Sequence, residues 1–180
     1  MIPILLSDIA KAVNGKLVGD DFIIKQITTD SRSLSNSPPS TLHNSSYSNN
    51  DDLFLALKGP NFDGHKFVQQ VVKLGCNSVI VDHQVSVEES DNFSQIIVED
   101  TEQALGKVAA YVKKLVSPKT VAITGSSGKT TVKEMVAAIL SRLGNVLATH
   151  GSFNNHIGVP LTLLRLEPEH DFAVVELGAS

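Results

Sequence analysis

The stretch 120-TVAITGSSGKTT-131 decides the fold of the second half of this 180-residue chain. Its first part, Thr120–Thr124, is short, apolar and rich in β-branched residues, which predicts a buried strand. The strand opens directly into a loop that contains Gly125 and Gly128, and an amphipathic pattern follows the loop. A strand, a glycine loop and a helix in this order predict a parallel α/β unit, with the loop at the carboxyl end of the strand.

The loop has the parts of a phosphate-binding site. Its glycines allow backbone N–H groups to converge, and the following helix directs its dipole at bound phosphates. Lys129 is spaced to reach the β- and γ-phosphates, and the Thr130 hydroxyl is spaced to ligate Mg²⁺. Because Ile123 stands where the longer form of the motif has glycine, the string is the shorter G-x-x-G-K-T. The alternative is a glycine turn without function. We predict ATP contacts from Gly125, Ser126, Ser127, Gly128, Lys129, Thr130 and Thr131.

The residues after the loop predict a helix and two further strands. The strands are Val146–Thr149 and Phe172–Leu177, with a helix over Ile157–Leu166 between them. Strands that alternate with helices indicate a parallel, doubly wound sheet. The helix that follows the loop is expected to end at Gly144 and to bury apolar residues at helical spacing, namely Val132, Met135, Val136, Ile139, Leu140 and Leu143.

A helical pattern before this unit is interrupted at Ser117-Pro118, which predicts a domain boundary. Residues 1–116 would form a first α/β domain, and residues 117–180 would form part of a second. The second stretch has about half the length that a doubly wound nucleotide domain needs to cover both faces of its sheet. We therefore expect the second domain to be incomplete.

The first domain is also predicted to alternate helices and strands. A short helix capped by Ser7 and a longer one capped by Thr101 carry apolar residues at helical spacing. Residues 34–50 are rich in Ser, Asn and Pro, which predicts a long loop. The remaining predicted elements are a helix near 67–74 and extended runs at 16–18, 22–28, 53–57, 78–81 and 95–98.

Polar side chains follow two of the strands of the second domain. Asn154 and Asn155 come after the second strand, and Glu176 is the one acid in the third. Ligands of open α/β sheets bind at this edge, where a carboxylate is suited to hold Mg²⁺. The alternatives are a plain turn at the asparagine pair and a glutamate that simply reaches solvent.

Composition limits the classes of function. Apolar residues make up 42% and charged residues 19%, as in a folded chain. The formal net charge is −4 and the pI about 5.8, so no excess of basic residues indicates a nucleic-acid or anionic-membrane partner. The single cysteine, Cys76, is predicted to be a core thiol. No secretory signal or apolar run of transmembrane length is recognisable, so the expected compartment is the cytoplasm.

Three strings of the second domain together resemble the central ATPase domain of the Mur ligases. They are T-G-S-S-G-K-T-T at 124–131, N-N-H-I-G-V-P-L-T-L-L-R-L at 154–166 and V-V-E-L-G-A at 174–179. The most similar branch adds D-alanyl-D-alanine to UDP-N-acetylmuramoyl tripeptide. The first domain is similar to the N-terminal, UDP-binding domain of that family through T-D-S-R at 29–32, D-L-F-L-A-L-K-G at 52–59 and F-D-G-H-K-F at 62–67.

This resemblance implies an ATP-dependent ligase that forms an amide bond in peptidoglycan precursor synthesis. ATP would phosphorylate the terminal carboxylate of the UDP-linked peptide, and the amine of D-alanyl-D-alanine would attack the acyl phosphate. Lys129 and Glu176 would be catalytic, with Thr130 and Glu176 as Mg²⁺ ligands. Substrate contacts would come from Asp30, Ser31, Arg32, Asn154 and Asn155, where the guanidinium suits a diphosphate.

The resemblance also implies a domain order: a small α/β domain for the UDP substrate at 1–116, then the first part of a doubly wound P-loop ATPase domain at 117–180. We expect a monomer that is inactive alone, since the amino-acid-binding domain of the family would lie beyond residue 180. Two other functions remain open. One is a non-catalytic module that binds a nucleotide or a UDP-sugar peptide, which would not need Lys129, Thr130 and Glu176 together. The other is a ligase of the folylpolyglutamate synthetase type, which would not explain the strings of the first domain.

Overall fold

A computed structural model describes residues 1–35, 51–88 and 92–178. The chain forms two compact units: an N-terminal unit, Pro3–Ala104, and a C-terminal unit, Leu105–Ser180, to which Met1–Ile2 also belong. The division falls inside a helix, Thr101–Val116. The domain limits drawn from the sequence, 1–116 and 117–180, stay a prediction.

The N-terminal unit contains nine described strands and three described helices, numbered here along the chain. The strands are β1 Ile4–Leu5, β2 Lys16–Val18, β3 Ile23–Ile24, β4 Gln26–Thr28, β5 Asp52–Leu55, β6 Lys58–Gly59, β7 Phe62–Asp63, β8 Ser78–Val81 and β9 Ser94–Ile97. The helices are α1 Leu6–Val13, α2 Ser31–Ser35 and α3 Val68–Lys73, with a 3₁₀ turn at Gly64–Phe67, and α4 Thr101–Val116 crosses to the next unit. Among the described ranges, no helix is long and apolar enough to cross a membrane.

A five-stranded sheet in the order β2-β9-β8-β5-β4 forms the centre of the N-terminal unit. The last four strands of that order are parallel, and β2 pairs antiparallel with β9. Leu53, Phe54 and Leu55 of β5 are at most 1% exposed, although successive side chains point to opposite faces. Both faces of this strand are therefore covered, which is why its sequence is continuously apolar.

The predicted elements of this unit are found, but both predicted helix caps are wrong. α1 begins at Leu6, so that Ser7 lies inside its first turn. α4 is capped by Asp100 and not by Thr101, because the Asp100 carboxylate accepts two N–H groups of the first turn at 2.8 and 3.0 Å. Of the loop predicted over 34–50, Leu34 lies in α2 and is buried, while 36–50 lie outside the described residues.

Cys76 is fully buried in the apolar core beside α3. Its thiol contacts the backbone carbonyls of Asp52 and Ser78 at 3.3 and 3.4 Å. Burial raises the pKa of this thiol to about 12, so it stays protonated at neutral pH. The prediction of an inert core cysteine is confirmed.

The C-terminal unit is built on a parallel sheet of three described strands. They are β10 Lys119–Ile123, β11 Val146–Ala148 and β12 Phe172–Glu176, and two helices connect them, α5 Lys129–Leu140 and α6 Gly158–Leu163. β12 lies between β10 and β11. Ile123 is therefore paired with Glu176, and Ala148 with Val174. The predicted parallel α/β arrangement is confirmed, and it brings the carboxyl ends of three strands to one edge.

The predicted buried stripe of α5 is largely wrong. Four of its six residues are exposed: Val132 (47%), Met135 (60%), Ile139 (61%) and Leu143 (72%). The face that meets the sheet contains Val136 and Leu140, both half-buried, and Lys133, which is only 2% exposed. The physical reason is that α5 packs mainly on β11 and β12, so a narrow side of the helix meets apolar surface.

Candidate functional site

The glycine loop joins β10 to α5 in a conformation that its glycines allow. Gly125 has φ 149° and Gly128 has φ 74°, and Gly128 directly precedes the first residue of the helix. A side chain at Gly128 would meet no atom within 4 Å, so backbone conformation and not space requires glycine there. The N–H groups at the start of α5 face the open end of the loop, as a phosphate-binding loop requires.

Lys129 reaches back over this loop. Its ammonium donates a hydrogen bond to the carbonyl oxygen of Gly125 at 2.6 Å. The contact holds the cation at the mouth of the loop, where the helix dipole is also positive. Ser126, Ser127 and Thr131 are exposed around it, in agreement with a site that is open to a ligand.

Glu176, which is buried, is the centre of a partly exposed polar cluster beside the loop. The Thr130 hydroxyl donates to Glu176 Oε2 at 2.9 Å, and the Asn154 amide donates to Glu176 Oε1 at 2.8 Å. The hydrogen bond from Asn154 lowers the pKa of the carboxyl, burial opposes it, and the Thr130 hydroxyl and two nearby ammonium groups lower the pKa further. The outcome is a carboxylate that stays ionised although the residue is only 2% exposed.

The oxygens of this cluster suit a hard divalent cation. Mg²⁺ prefers carboxylate and hydroxyl oxygens, and neighbouring ligands of an octahedral ion are about 3 Å apart. Thr130 Oγ1 and Glu176 Oε2 are separated by 2.9 Å. The residues therefore fit the predicted Mg²⁺ ligands by chemistry and by spacing.

The predicted asparagine pair is divided by the structure. Asn154 lies on Glu176, and its own carbonyl accepts the N–H of Gly178 at 2.7 Å. The Asn155 carboxamide instead accepts the N–H groups of Ile157 and Gly158, at 3.2 and 2.7 Å. Asn155 therefore shapes the turn into α6, and only Asn154 joins the cluster.

The sequence analysis missed Lys133, which lies behind the cluster. Its ammonium donates to the Thr149 carbonyl at 2.7 Å, and the Thr149 hydroxyl accepts the backbone N–H of Glu176 at 3.0 Å. One signal was available: Lys133, Val136 and Leu140 are spaced by three and four residues, which places the lysine in the buried stripe of the helix.

A second candidate site lies within the N-terminal unit. A cavity of about 550 Å³ is lined by Thr29, Asp30, Ser31, Arg32, Phe54, Phe62, Phe67 and Gln70, so it contains all three predicted substrate residues of this unit. The Arg32 guanidinium donates to both oxygens of Asp30 at 2.8 to 3.2 Å. These hydrogen bonds lower the pKa of Asp30 to about 2.

An aromatic pair forms part of the wall of this cavity and was not singled out in the sequence. The rings of Phe62 and Phe67 are stacked, with centroids 5.8 Å apart. The turn between them is held by His65, whose Nδ1 lies 2.8 Å from Asp63 Oδ1 and whose Nε2 accepts the Asp82 N–H at 3.0 Å. The cavity thus combines a polar end with an apolar wall.

Comparisons with known proteins identify the family of this chain. The profile of the Mur ligase middle domain matches residues 123–180, and the profile of the Mur ligase family catalytic domain matches residues 41–113. The UDP-N-acetylmuramoyl-tripeptide–D-alanyl-D-alanine ligase of Escherichia coli is 46% identical over 100% of this chain and 36% of its own length. The ligase of the same name from Bacillus subtilis is 37% identical over 100% of this chain and 37% of its own length.

Solved structures show the same relationship. A crystal structure of MurF from Acinetobacter baumannii superposes with a TM-score of 0.84 and 42% identity, over 99% of this chain and 36% of that one. A MurF ligase from Thermotoga maritima in complex with ADP superposes with a TM-score of 0.67 and 29% identity, over 87% of this chain and 32% of that one. The chain thus spans about a third of the length of the relatives that it matches. It belongs to the Mur ligase family.

Proposed function

We propose that this chain is the N-terminal part of an ATP-dependent ligase that adds D-alanyl-D-alanine to UDP-N-acetylmuramoyl tripeptide in peptidoglycan precursor synthesis. In that reaction the γ-phosphoryl group of ATP moves to the terminal carboxylate of the UDP-linked peptide. The amine of the dipeptide then displaces inorganic phosphate and forms the amide. The observation that carries the proposal is the convergence of Thr130 and Asn154 on Glu176, beside the glycine loop.

The described residues have different proposed roles in phosphoryl transfer. The loop N–H groups and Lys129 bind and orient the phosphates, and the ammonium offsets charge on the transferring group. Thr130 Oγ1 and Glu176 would hold Mg²⁺, which would supply positive charge to offset that of the phosphates and the carboxylate substrate. Asn154 keeps Glu176 turned toward Thr130. Asn155 acts indirectly, through the turn that it stabilises.

The cavity of the N-terminal unit is proposed to bind the UDP part of the substrate. Arg32 offers two parallel N–H donors to a diphosphate, and the Ser31 hydroxyl offers a third. The stacked pair Phe62 and Phe67 offers an apolar wall against which a planar group packs. Asp30 pairs with Arg32 at the polar end of the cavity.

We also propose that the enzyme is cytoplasmic, because ATP and nucleotide-linked precursors are available in that compartment, and that it is a monomer. The chain alone is expected to be inactive, since it spans only 36% of the Escherichia coli ligase. For the same reason it is expected to bind Mg-ATP weakly or not at all.

Calorimetry of this chain tests the proposal. UDP-N-acetylmuramoyl tripeptide and Mg-ATP are titrated separately, and circular dichroism establishes that the chain is folded. Binding of the UDP ligand is expected; a folded chain that does not bind it refutes the substrate-domain assignment.

A variant of the full-length protein tests the separate roles of the two sites. Lys129→Ala should abolish ligation and leave UDP-ligand binding nearly intact. Lys114→Ala, an exposed lysine of α4, is the matched control and should change neither.

A further inference from the structure

Lys133 is buried on a helix whose apolar side chains are exposed. The residue is 2% exposed, whereas its neighbours Val132 and Met135 are 47% and 60% exposed. A lysine normally extends its ammonium to water, and a buried ammonium is unfavourable unless it is paired and hydrogen-bonded. The position of Lys133 therefore indicates that its partners require a cation there.

Two partners hold this ammonium. It donates to the backbone carbonyl of Thr149 at 2.7 Å and lies 2.6 Å from the carboxylate of Glu134, which is 67% exposed. The ion pair with Glu134 is largely solvated and contributes little orientation. The contact with Thr149 is buried and joins α5 to the end of β11.

Thr149 connects Lys133 to Glu176 through hydrogen bonds. The residue is 1% exposed, its N–H donates to the Val174 carbonyl at 3.0 Å, and its hydroxyl accepts the N–H of Glu176 at 3.0 Å. The ends of β11 and β12 are thus tied to each other and, through Lys133, to the helix that contains Thr130. Glu176 receives its side-chain donors from Thr130 on that helix and from Asn154 after β11.

We propose that Lys133 is a positioning residue of the metal site, which clamps the end of β11 to α5 through Thr149 and thereby holds the Glu176 carboxylate between Thr130 and Asn154. This inference rests on the function proposed above, because it takes Thr130 and Glu176 as ligands of the cation that accompanies the nucleotide. Lys133 does not itself touch the reacting groups. It acts through the geometry of Glu176, as outer-shell partners of metal ligands do.

Lys133→Met tests this clamp, since methionine fills a similar volume without the charge. The measurement is Mn²⁺ binding to the full-length protein in the presence of ADP, followed by electron paramagnetic resonance. We expect the affinity for Mn²⁺ to fall about tenfold or more, as for other outer-shell substitutions. Binding of UDP-N-acetylmuramoyl tripeptide should be unchanged. A Mn²⁺ affinity within twofold of the wild type, in a folded variant, would overturn the proposal.

Two further variants separate the clamp from a general loss of packing. Glu134→Gln removes the exposed partner of Lys133 and should leave Mn²⁺ affinity unchanged. Thr149→Val keeps the carbonyl but removes the hydroxyl that holds Glu176, so it should weaken Mn²⁺ binding as Lys133→Met does. The double variant should lose no more Mn²⁺ affinity than either single variant. Losses that multiply would refute transmission through Thr149. If Lys133→Met fails to fold, Thr149→Val decides alone: an unchanged affinity would count against the proposal.

The same samples distinguish a failure of the inference from a failure of the proposed ligase function. A wild-type protein that binds Mn²⁺ with ADP but forms no amide from UDP-N-acetylmuramoyl tripeptide and D-alanyl-D-alanine would refute the reaction. The effect of Lys133→Met on Mn²⁺ affinity would still support the clamp. Normal ligation, with an unchanged requirement for the cation in Lys133→Met, would refute the clamp alone.

Discussion

Asn154 donates a hydrogen bond to Glu176 at 2.8 Å, whereas the adjacent Asn155 turns away from the cluster and accepts the N–H of Gly158 at 2.7 Å. Substitution of the two should therefore have different effects. Asn154→Ala should lower the rate of ligation by the full-length protein by about tenfold or more, as substitution of other residues that support metal ligands does. Asn155→Ala should lower the free energy of unfolding by about 1 kcal/mol, as for a lost helix cap, with a smaller effect on the rate. Steady-state rates and urea midpoints measure both; equal losses of rate would contradict the division.

Gly178 lies against the same asparagine. A Cβ atom there would be 3.0 Å from Asn154 Oδ1 and 3.1 Å from the Asn154 carbonyl oxygen. Gly178→Ala should therefore shift Asn154 slightly relative to Glu176 and lower ligation, by less than Asn154→Ala does. Gly106→Ala is the control: a Cβ there meets nothing within 4 Å, and alanine in a helix should stabilise by about 0.5–1 kcal/mol. A fully active Gly178→Ala enzyme would show that the close approach is not required.

The exposed face of α5 leads to a prediction about stability. Ile139 is 61% exposed, so Ile139→Glu should change the free energy of unfolding of this chain by no more than about 0.5 kcal/mol. Leu166, which is fully buried in the same unit, is the contrast: Leu166→Ala should cost about 2–5 kcal/mol. Urea unfolding of this chain measures both. A large loss on Ile139→Glu would mean that the apolar stripe predicted from the sequence is buried after all.

Asp52 leads to a prediction about pH. Burial, and then the negative charge of Asp51, raise the pKa of Asp52 from 3.8 to about 6. The folded state therefore holds this proton more tightly than the unfolded chain, and the resulting stabilisation is complete below about pH 4 and lost as the pH rises through 6. Asp52→Asn mimics the protonated form, so it should be more stable than the wild type above pH 6, by about 1–3 kcal/mol. Near pH 4 the two should be equal.

Urea midpoints of the wild type and of Asp52→Asn at pH 4 and pH 7.5 measure this difference. Other carboxyl groups titrate in the same window, so only the difference between the two proteins is informative. A difference that stays the same at both pH values would show that folding does not raise the pKa of Asp52. Asp20→Asn, at an exposed aspartate of the same unit, is the control for a simple loss of negative charge.

Prediction from the sequence was successful where local chemistry decides the outcome. The glycine loop, its strand and its helix lie where the string around Gly125 and Gly128 placed them, because positive φ angles and a helix start have strong local signals. Asp30, Ser31 and Arg32 line one cavity, as expected from a short contiguous string. Thr130 and Glu176 were expected at one sheet edge because parallel strands place their carboxyl ends together, and they are in direct contact.

The failures arose where neighbours distant in the chain decide the outcome. The apolar stripe of α5 was predicted to be buried, but burial depends on how much sheet the helix meets, and periodicity does not contain that information. Lys133 was not predicted as a site residue, because only the folded chain brings the Thr149 carbonyl to its ammonium. Asn154 and Asn155 appeared equivalent, since the direction of each side chain is set by the turn into α6 and not by its residue type.

The sequence by itself determined the family, the α/β class, the phosphate loop and the candidate site residues other than Lys133, Phe62 and Phe67, because these depend on short strings and on the order of elements. Only the tertiary structure decided which of those residues touch. β12 lies between β10 and β11, so that Glu176 accepts hydrogen bonds from Thr130 and Asn154, and Lys133 is buried behind this cluster. The physical reason is that hydrogen bonds and the burial of charge depend on distances between segments far apart in the chain, which no local pattern specifies.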